Sequence, residues 1–312
     1  MASPKTSRPS PKTSRPSSIV SDASKISQPM GYTKGYSFVS GAFLLGTFSA
    51  FTLYRFQFLD FYGVYCSEIP KSKFNHAAPG ECFYFLKQPY KSGIILHLAC
   101  ILPASLLACF QFMPFVRRAA PRLHRINGRI AIILSVLSTA GVFIILPRSF
   151  GGGVDIIVIG TALAFSFLYA LFKAYASIKN GQVEQHRVWM LRAWFWAGCI
   201  ITERIIQIGS LKAAGAATSS YTMPCDKIDF ILKNRTLDLY PQCAAFYSGE
   251  NIHQSVEVRA TLNYPTSAVE AAAALNSMFG KAFFWAFLIH IIAAEAYIRL
   301  SSRRGTRHLA SD

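Results

Sequence analysis

Two His-Arg pairs in this sequence have the residue types needed to hold a redox cofactor. They are His124-Arg125, in the stretch HRINGR, and His186-Arg187, in the stretch HRVWMLR, and an apolar run follows each of them. We therefore expect both pairs at the same membrane interface. Two histidines at one depth can ligate a haem iron axially, while arginines neutralise the haem propionates. The first hypothesis is a site for haem b with these members: His124, His186, Arg125, Arg187 and Arg192.

The same pairs also have a simpler interpretation. Arginine and histidine at the start of a span often bind lipid phosphates, and each histidine can cap its own helix without contacting the other. Two histidines alone are a weak ligand set for zinc, and no cysteine pair in the sequence has ligand spacing. We therefore predict no metal-ion site, and lipid anchoring stays open as the alternative to haem.

A second set of ionisable residues falls inside the apolar runs. His97, Glu203 and Arg204 are expected at similar depth near one end of the spans, with Lys281 close to the same level. Charged groups at membrane depth usually face a bundle interior, so we interpret His97, Glu203 and Arg204 as candidate catalytic residues. They would transfer protons to a lipophilic small molecule. The structural alternative is that neighbouring helices neutralise these charges and that Lys281 reaches the interface.

The composition predicts that membrane helices position these residues. The chain of 312 residues is 52% hydrophobic and only 15% charged, which is too apolar for an ordinary soluble domain. A helix needs about 20 apolar residues to cross the hydrocarbon core. Six runs qualify: 38–59, 92–114, 129–147, 154–174, 188–209 and 277–299. We predict an all-α integral membrane protein, a bundle of about six transmembrane helices.

The distribution of basic residues predicts the orientation of this bundle. The net charge of +17 is divided between the two tails and alternate connections, rather than forming the single face that nucleic acid would require. This excludes nucleic acid as a partner and, by the positive-inside rule, places both termini in the cytoplasm. The lipid bilayer is the expected partner.

The connections on the opposite side have the marks of an oxidising compartment. Loops 60–91 and 210–276 contain four cysteines, Cys66, Cys82, Cys225 and Cys243, and a glycosylation sequon at Asn234. Disulfides persist outside the cytosol, and a sequon is used only in a secretory lumen. We predict a membrane of the secretory pathway, the endoplasmic reticulum or the plasma membrane. Four cysteines allow three pairings, and the sequence does not choose among them.

The chain divides into three parts. Residues 1–35 repeat PKTSRPS and are rich in Ser, Pro and basic residues, so we predict a disordered tail. Residues 36–300 form the transmembrane domain, and 301–312 form a basic cytoplasmic tail. Ser267 and Glu270 have the spacing of a capping box, which predicts that the last helix begins in the outer loop before it enters lipid.

These motifs resemble a family of membrane proteins of bacteria and fungi, a domain of unknown function. The resemblance covers roughly residues 38–209 and rests on paired HRxxGR and HRxWMxR motifs, the helix of His97, Gln111 and the Glu203-Arg204 pair. It implies a histidine-bearing helical bundle, loosely similar to diheme cytochromes of the b561 type. The chain departs from that pattern because His97 has no evident partner at its depth. The repeated tail and the cysteine-bearing outer loop look like a fungal elaboration.

Three functions follow in order of preference. The first is a haem-binding membrane oxidoreductase. The second is a cofactor-free isomerase or cyclase that acts on a lipophilic substrate, which the resemblance associates with secondary metabolism. The third is a transporter or membrane scaffold without enzymatic activity, although the sequence lacks the duplicated, broken helices common in transporters.

Overall fold

The long helices form most of the molecule. The computed structural model describes residues 35–67, 76–213, 219–233, 235–262 and 267–308. Within these residues four helices are long and apolar enough to cross a membrane. They are α3 (Tyr90–Phe112), α5 (Pro121–Ile145), α6 (Val154–Lys179) and, up to Leu300, α12 (Ala268–His308). The expectation of an all-α membrane protein is therefore confirmed.

The other two predicted spans have a more complex form. Helix α1 (Gly35–Arg55) covers most of the first run and continues into a short 3-10 turn, Phe56–Leu59. The run at 188–209 divides at Gly198 into α7 (Val183–Ala197) and α8 (Cys199–Ala213). The count of six spans and the cytoplasmic placement of the termini therefore stay predictions.

His290 of α12 bridges the break between α7 and α8. A helix end leaves its last carbonyl groups without intrahelical donors. The His290 Nδ1 atom lies 2.6 Å from the carbonyl oxygen of Phe195, and its Nε2 atom lies 2.8 Å from the hydroxyl of Thr202. Because Phe195 lies in the last turn of α7 and Thr202 in the first turn of α8, one imidazole ring joins both halves of the broken helix to α12.

Small residues let α3 and α5 approach closely. A side chain at Gly141 would collide with the backbone of Gly93 and His97, so glycine is needed at this crossing. The buried hydroxyls nearby bond within this pair of helices: Ser135 donates to the carbonyl of Ala131 at 2.7 Å. Helix α6 packs mainly on α7, and α8 packs on α12.

A folded cap covers one end of the helices. Its two strands, β1 (Ser219–Pro224) and β2 (Ser255–Ala260), pair antiparallel and pack on the start of α12. Its short helices are α2 (Cys82–Phe85), α9 (Cys225–Leu232), α10 (Thr236–Leu239) and α11 (Ala244–Tyr247). One more short helix, α4 (Pro114–Ala119), lies at the opposite end, directly before α5. We call the end that carries the cap the cap end and the opposite one, with residues 113–129, the arginine end.

Two disulfides tie the cap, and they settle the pairing that the sequence left open. Cys66 is bonded to Cys82, and Cys225 is bonded to Cys243. The predicted capping box also forms, since Ser267 Oγ accepts from the Glu270 N–H at 3.1 Å and the Glu270 carboxylate accepts from the Ser267 N–H at 3.2 Å. Of the tail predicted over residues 1–35, residues 1–34 lie outside the described residues, and Gly35 begins α1. The sequon residue Asn234 and residues 309–312 also lie outside the described residues.

Candidate functional site

The two His-Arg pairs lie together at the arginine end. His124 is in the first turn of α5 and His186 in the first turn of α7. The His186 Nδ1 atom bonds to the carbonyl of Ala174 at 2.9 Å, while Gln111 Nε2 donates to the main-chain carbonyl of His124 at 3.0 Å. His186 lies within electrostatic reach of the His124 ring. The structure thus brings both motifs to one end of the bundle.

The arginines proposed as propionate partners already have other partners. Arg187 pairs with Glu184 at 2.7 Å, and Arg192 binds both carboxylate oxygens of Glu295 at 2.6 and 3.0 Å. Arg125 Nε donates weakly to the carbonyl of Pro121 at 3.4 Å. Haem propionates would have to displace two carboxylates, so the haem site stays a prediction. A Soret band in the purified protein would test it.

The second predicted set, which consists of His97, Glu203, Arg204 and Lys281, is only partly brought together. The ring of His97 bonds to Ser138 of α5, with 2.8 Å between Nδ1 and the hydroxyl oxygen. No hydrogen bond or ion pair within the described part of the chain joins His97 to Glu203. Lys281 is exposed and lines a groove between α6 and α12. Of the predicted set, Glu203 and Arg204 are the two residues in contact.

Glu203 is the most isolated carboxylate of the helices. Its side chain is completely buried, and neither carboxylate oxygen has a hydrogen-bond partner among the described residues. The guanidinium of Arg204 lies beside it, with 3.3 Å between Nε and Oε2, in an ion pair that lacks hydrogen-bond geometry. Adjacent helical residues diverge by about 100°, so this contact requires the Arg204 side chain to fold back along α8.

Aromatic rings hold Arg204 in this position. Its guanidinium lies 4.5 Å from the ring centre of Phe150 and 5.1 Å from that of Phe279, and the two rings stack on each other. Arg204 Nη1 also donates to Gln207 at 3.0 Å, and Gln207 donates to the carbonyl of Leu275 in α12 at 2.9 Å. Glu203, the two aromatic rings and Gln207 therefore hold the Arg204 guanidinium in place before any ligand binds.

The loop after α5 contributes Phe150 in a strained conformation. Its φ of 49° lies in the left-handed region, which costs a residue with a side chain about 1 kcal/mol or more. The Phe150 N–H donates to Oε2 of Glu81 at 2.8 Å, and this bond helps to hold the strained backbone. Phe150 therefore links the Arg204 site to a second buried carboxylate in the cap.

Glu81 and Lys227 form a buried ion pair that sequence reasoning missed. Their charged atoms lie 3.6 Å apart, and both side chains are almost completely buried. Burial raises the pKa of Glu81, against the opposing effect of Lys227, and burial lowers the pKa of Lys227, against the opposing effect of Glu81. One sequence pattern could have indicated this pair, because each residue lies close to a loop cysteine. Glu81 directly precedes Cys82, and Lys227 lies two residues after Cys225.

A groove is open on the exposed surface of the helices, near the N-terminal end of α6. It lies between α6 and α12, has a volume of about 270 Å³ and is lined mainly by apolar side chains, including Phe284 and Trp285. Ile159 lines this groove and also packs against the buried cluster that contains Cys199 and Phe279. Since Cys199 lies one turn before Glu203, the groove borders the apolar surroundings of the isolated carboxylate.

Comparison with known proteins agrees with this membrane assignment. The model of a family described as "Predicted membrane protein (DUF2306)" matches residues 94–223, a segment that contains both His-Arg pairs and the Glu203-Arg204 pair. The match covers less than half of the chain. No curated protein and no solved structure matches. The similarity supports an integral membrane protein and names no activity.

Proposed function

We propose that the protein is a membrane enzyme that transfers a proton on a lipophilic substrate, with Glu203 as the acid–base group. One observation carries the proposal: a carboxylate with no hydrogen-bond partner in the described residues is completely buried beside a fixed arginine, one turn after Cys199 of an apolar cluster. A buried carboxylate left without hydrogen bonds is costly for stability. Groups of this kind inside membrane helices usually serve a function.

The arrangement suits a reaction without net oxidation. Glu203 would remove a proton from one carbon of the substrate and return it to another, which shifts a double bond and regenerates the carboxylate. Arg204 would stabilise negative charge on Glu203 or on a substrate oxygen during this transfer. The stacked rings of Phe150 and Phe279 supply an apolar wall on which a hydrocarbon skeleton can pack. No cofactor is required by this step.

The groove between α6 and α12 supplies the route by which such a substrate would enter. Its lining is mainly apolar, with Asp155 and Lys281 as the charged members, and its residues Val158, Phe284 and Trp285 are exposed on the outside of the helices. Gly280 permits this geometry, because a side chain there would collide with the carboxylate of Asp155. A substrate dissolved in the bilayer could therefore approach Glu203 without passing through water.

The test compares two isosteric substitutions in cells that lack the endogenous protein. Glu203→Gln should fail to restore the lipid-extractable metabolite profile, because general acid–base groups contribute about 100-fold or more to rate. Glu184→Gln, which changes an exposed carboxylate at the arginine end, should restore the profile like the wild type. Both proteins should accumulate in membranes to equal amounts. Full restoration by Glu203→Gln would overturn the proposal.

A further inference from the structure

The arginine end carries five arginines that the proposed function does not use. We call them the arginine belt, and they are Arg117, Arg118, Arg122, Arg125 and Arg129. No acidic residue occurs anywhere between Glu81 and Asp155 in the sequence. The acidic residues described close to this end, Glu184 and Glu295, already pair with Arg187 and Arg192. The segment that carries the belt is therefore strongly positive, with no acidic residue in its own sequence.

In the first turns of α5, the arginines lie on one side of the helix and exposed apolar residues lie on the adjoining side. Residues three and four apart share one side of a helix, so Arg122, Arg125 and Arg129 form one exposed stripe. The adjoining stripe consists of exposed apolar residues, Leu123, Ile126 and Ile130, with Phe115 of α4 also exposed nearby. The third side, with the buried Asn127 and Ala131, faces the bundle.

This pattern matches the polar and apolar halves of a phospholipid. Exposed apolar side chains beside cationic ones are typical of a helix segment at the membrane interface. Arginine binds phosphate through two parallel hydrogen bonds, which a compact ammonium group does not offer. We propose that the arginine belt binds the phosphate group of an anionic phospholipid in the adjoining leaflet, with its acyl chains along Leu123, Ile126 and Ile130.

His124 gives the belt a buried member. Its Nδ1 atom is buried and has no hydrogen-bond partner in the part of the chain that the structure describes. The groups within electrostatic reach of this ring are Arg117, which is always cationic, and the imidazole of His186. A phosphate oxygen at this position would accept from the imidazole and bring negative charge to a cluster that lacks it. The HRINGR motif then supplies both the buried and the exposed groups of one lipid site.

The experiment measures lipid preference in the intact protein. Protein in nanodiscs of phosphatidylcholine mixed with phosphatidylglycerol is released into the gas phase, and the bound lipids are counted by mass spectrometry. Wild type should retain phosphatidylglycerol in preference to phosphatidylcholine. The triple variant Arg122→Gln, Arg125→Gln, Arg129→Gln should lose that preference by about fivefold for each arginine removed. The His124→Gln variant should lose part of it.

A matched control removes the same charge from the cap end. Lys87→Gln, Arg148→Gln, Lys212→Gln changes three exposed cations and should keep the wild-type preference. Equal losses in both triple variants would show a general effect of net charge and overturn the site. Displacement of the lipid by inorganic phosphate alone would show a free-anion site instead. A Soret band that disappears in His124→Gln would assign that ring to haem and remove it from the lipid site.

Discussion

Two buried carboxylates, Glu81 and Glu203, lie near the same end of the molecule in opposite circumstances. Glu81 accepts a hydrogen bond from the Phe150 backbone and pairs with a lysine from a distant segment. Glu203 has no hydrogen bond among the described residues and contacts the arginine next to it in sequence. The first carboxylate connects three parts of the chain, whereas the second connects none. We infer that Glu81 serves the assembly of the cap and Glu203 is free for chemistry.

The comparison also separates two uses of a cation that lies beside a buried carboxylate. Lys227 is almost fully buried, so its charge depends on Glu81 for compensation. Arg204 is about one-third exposed, at 32%, and it contacts aromatic rings and Gln207 in addition to Glu203. Removal of a carboxylate should therefore be far more costly to stability in the cap than in the bundle. The following predictions test this difference.

The largest loss of stability should come from breaking the ion pair between Glu81 and Lys227 in the cap. Lys227→Met leaves the charge of Glu81 buried without its partner and should lower the free energy of unfolding by about 3–5 kcal/mol. Thermal unfolding of the purified protein in detergent measures this loss. The exposed substitution Lys212→Met is the matched control. Adding Glu81→Gln to Lys227→Met should recover most of the loss, because the Gln side-chain oxygen still accepts from the Phe150 N–H. If Lys227→Met alone is as stable as the wild type, our interpretation is wrong.

The next largest loss of stability should come from removing a disulfide of the cap, since each disulfide lies close to one member of this ion pair. Cys225 and Cys243 are separated by 18 residues, and closing a loop of this size stabilises the folded state by about 3 kcal/mol. Cys225→Ser with Cys243→Ser should therefore lower the unfolding temperature. The Cys66–Cys82 bond closes a loop of similar length, 16 residues, so its removal should cost nearly as much. An unfolding temperature that is unchanged in these double variants would show that the bonds contribute nothing.

A smaller effect is expected at the residue that orients Arg204. Gln207→Leu removes the bonds to Arg204 and to the carbonyl of Leu275 but keeps an apolar volume, and should cost about 1–2 kcal/mol. The same variant should lower activity on the lipophilic substrate, because the guanidinium loses one of its three supports. If activity is unchanged while stability falls, Gln207 has only a packing role.

The sequence predicted the helices well and their ends less well. The run at 92–114 corresponds to α3, Tyr90–Phe112, because a span must fill the hydrocarbon core with apolar residues. The run at 129–147 missed the first two turns of α5, which begins at Pro121. Those turns contain Arg122 and Arg125, and charged residues lower the hydropathy of a segment, so hydropathy does not detect them.

The sites were predictable only in part, for a different reason. Glu203 and Arg204 were recognised because charge inside an apolar run is conspicuous. The ion pair between Glu81 and Lys227 was not recognised, because both lie in polar loops where charge is ordinary and only the folded cap reveals their burial. The contact between His97 and Ser138 likewise depends on the crossing of two helices, which hydropathy does not specify.

The smallest effect on stability should come from Glu203, and it separates the two carboxylates most directly. Glu203→Gln removes a buried charge that makes no hydrogen bond in the described residues, and Arg204 retains its aromatic contacts and its bond to Gln207. We expect a change within about 1 kcal/mol, of either sign, in the free energy of unfolding. Catalysis should nevertheless fall steeply, since Gln cannot take up a proton. A loss of stability as large as that of Lys227→Met, measured in the same detergent, would show that Glu203 also holds the fold together.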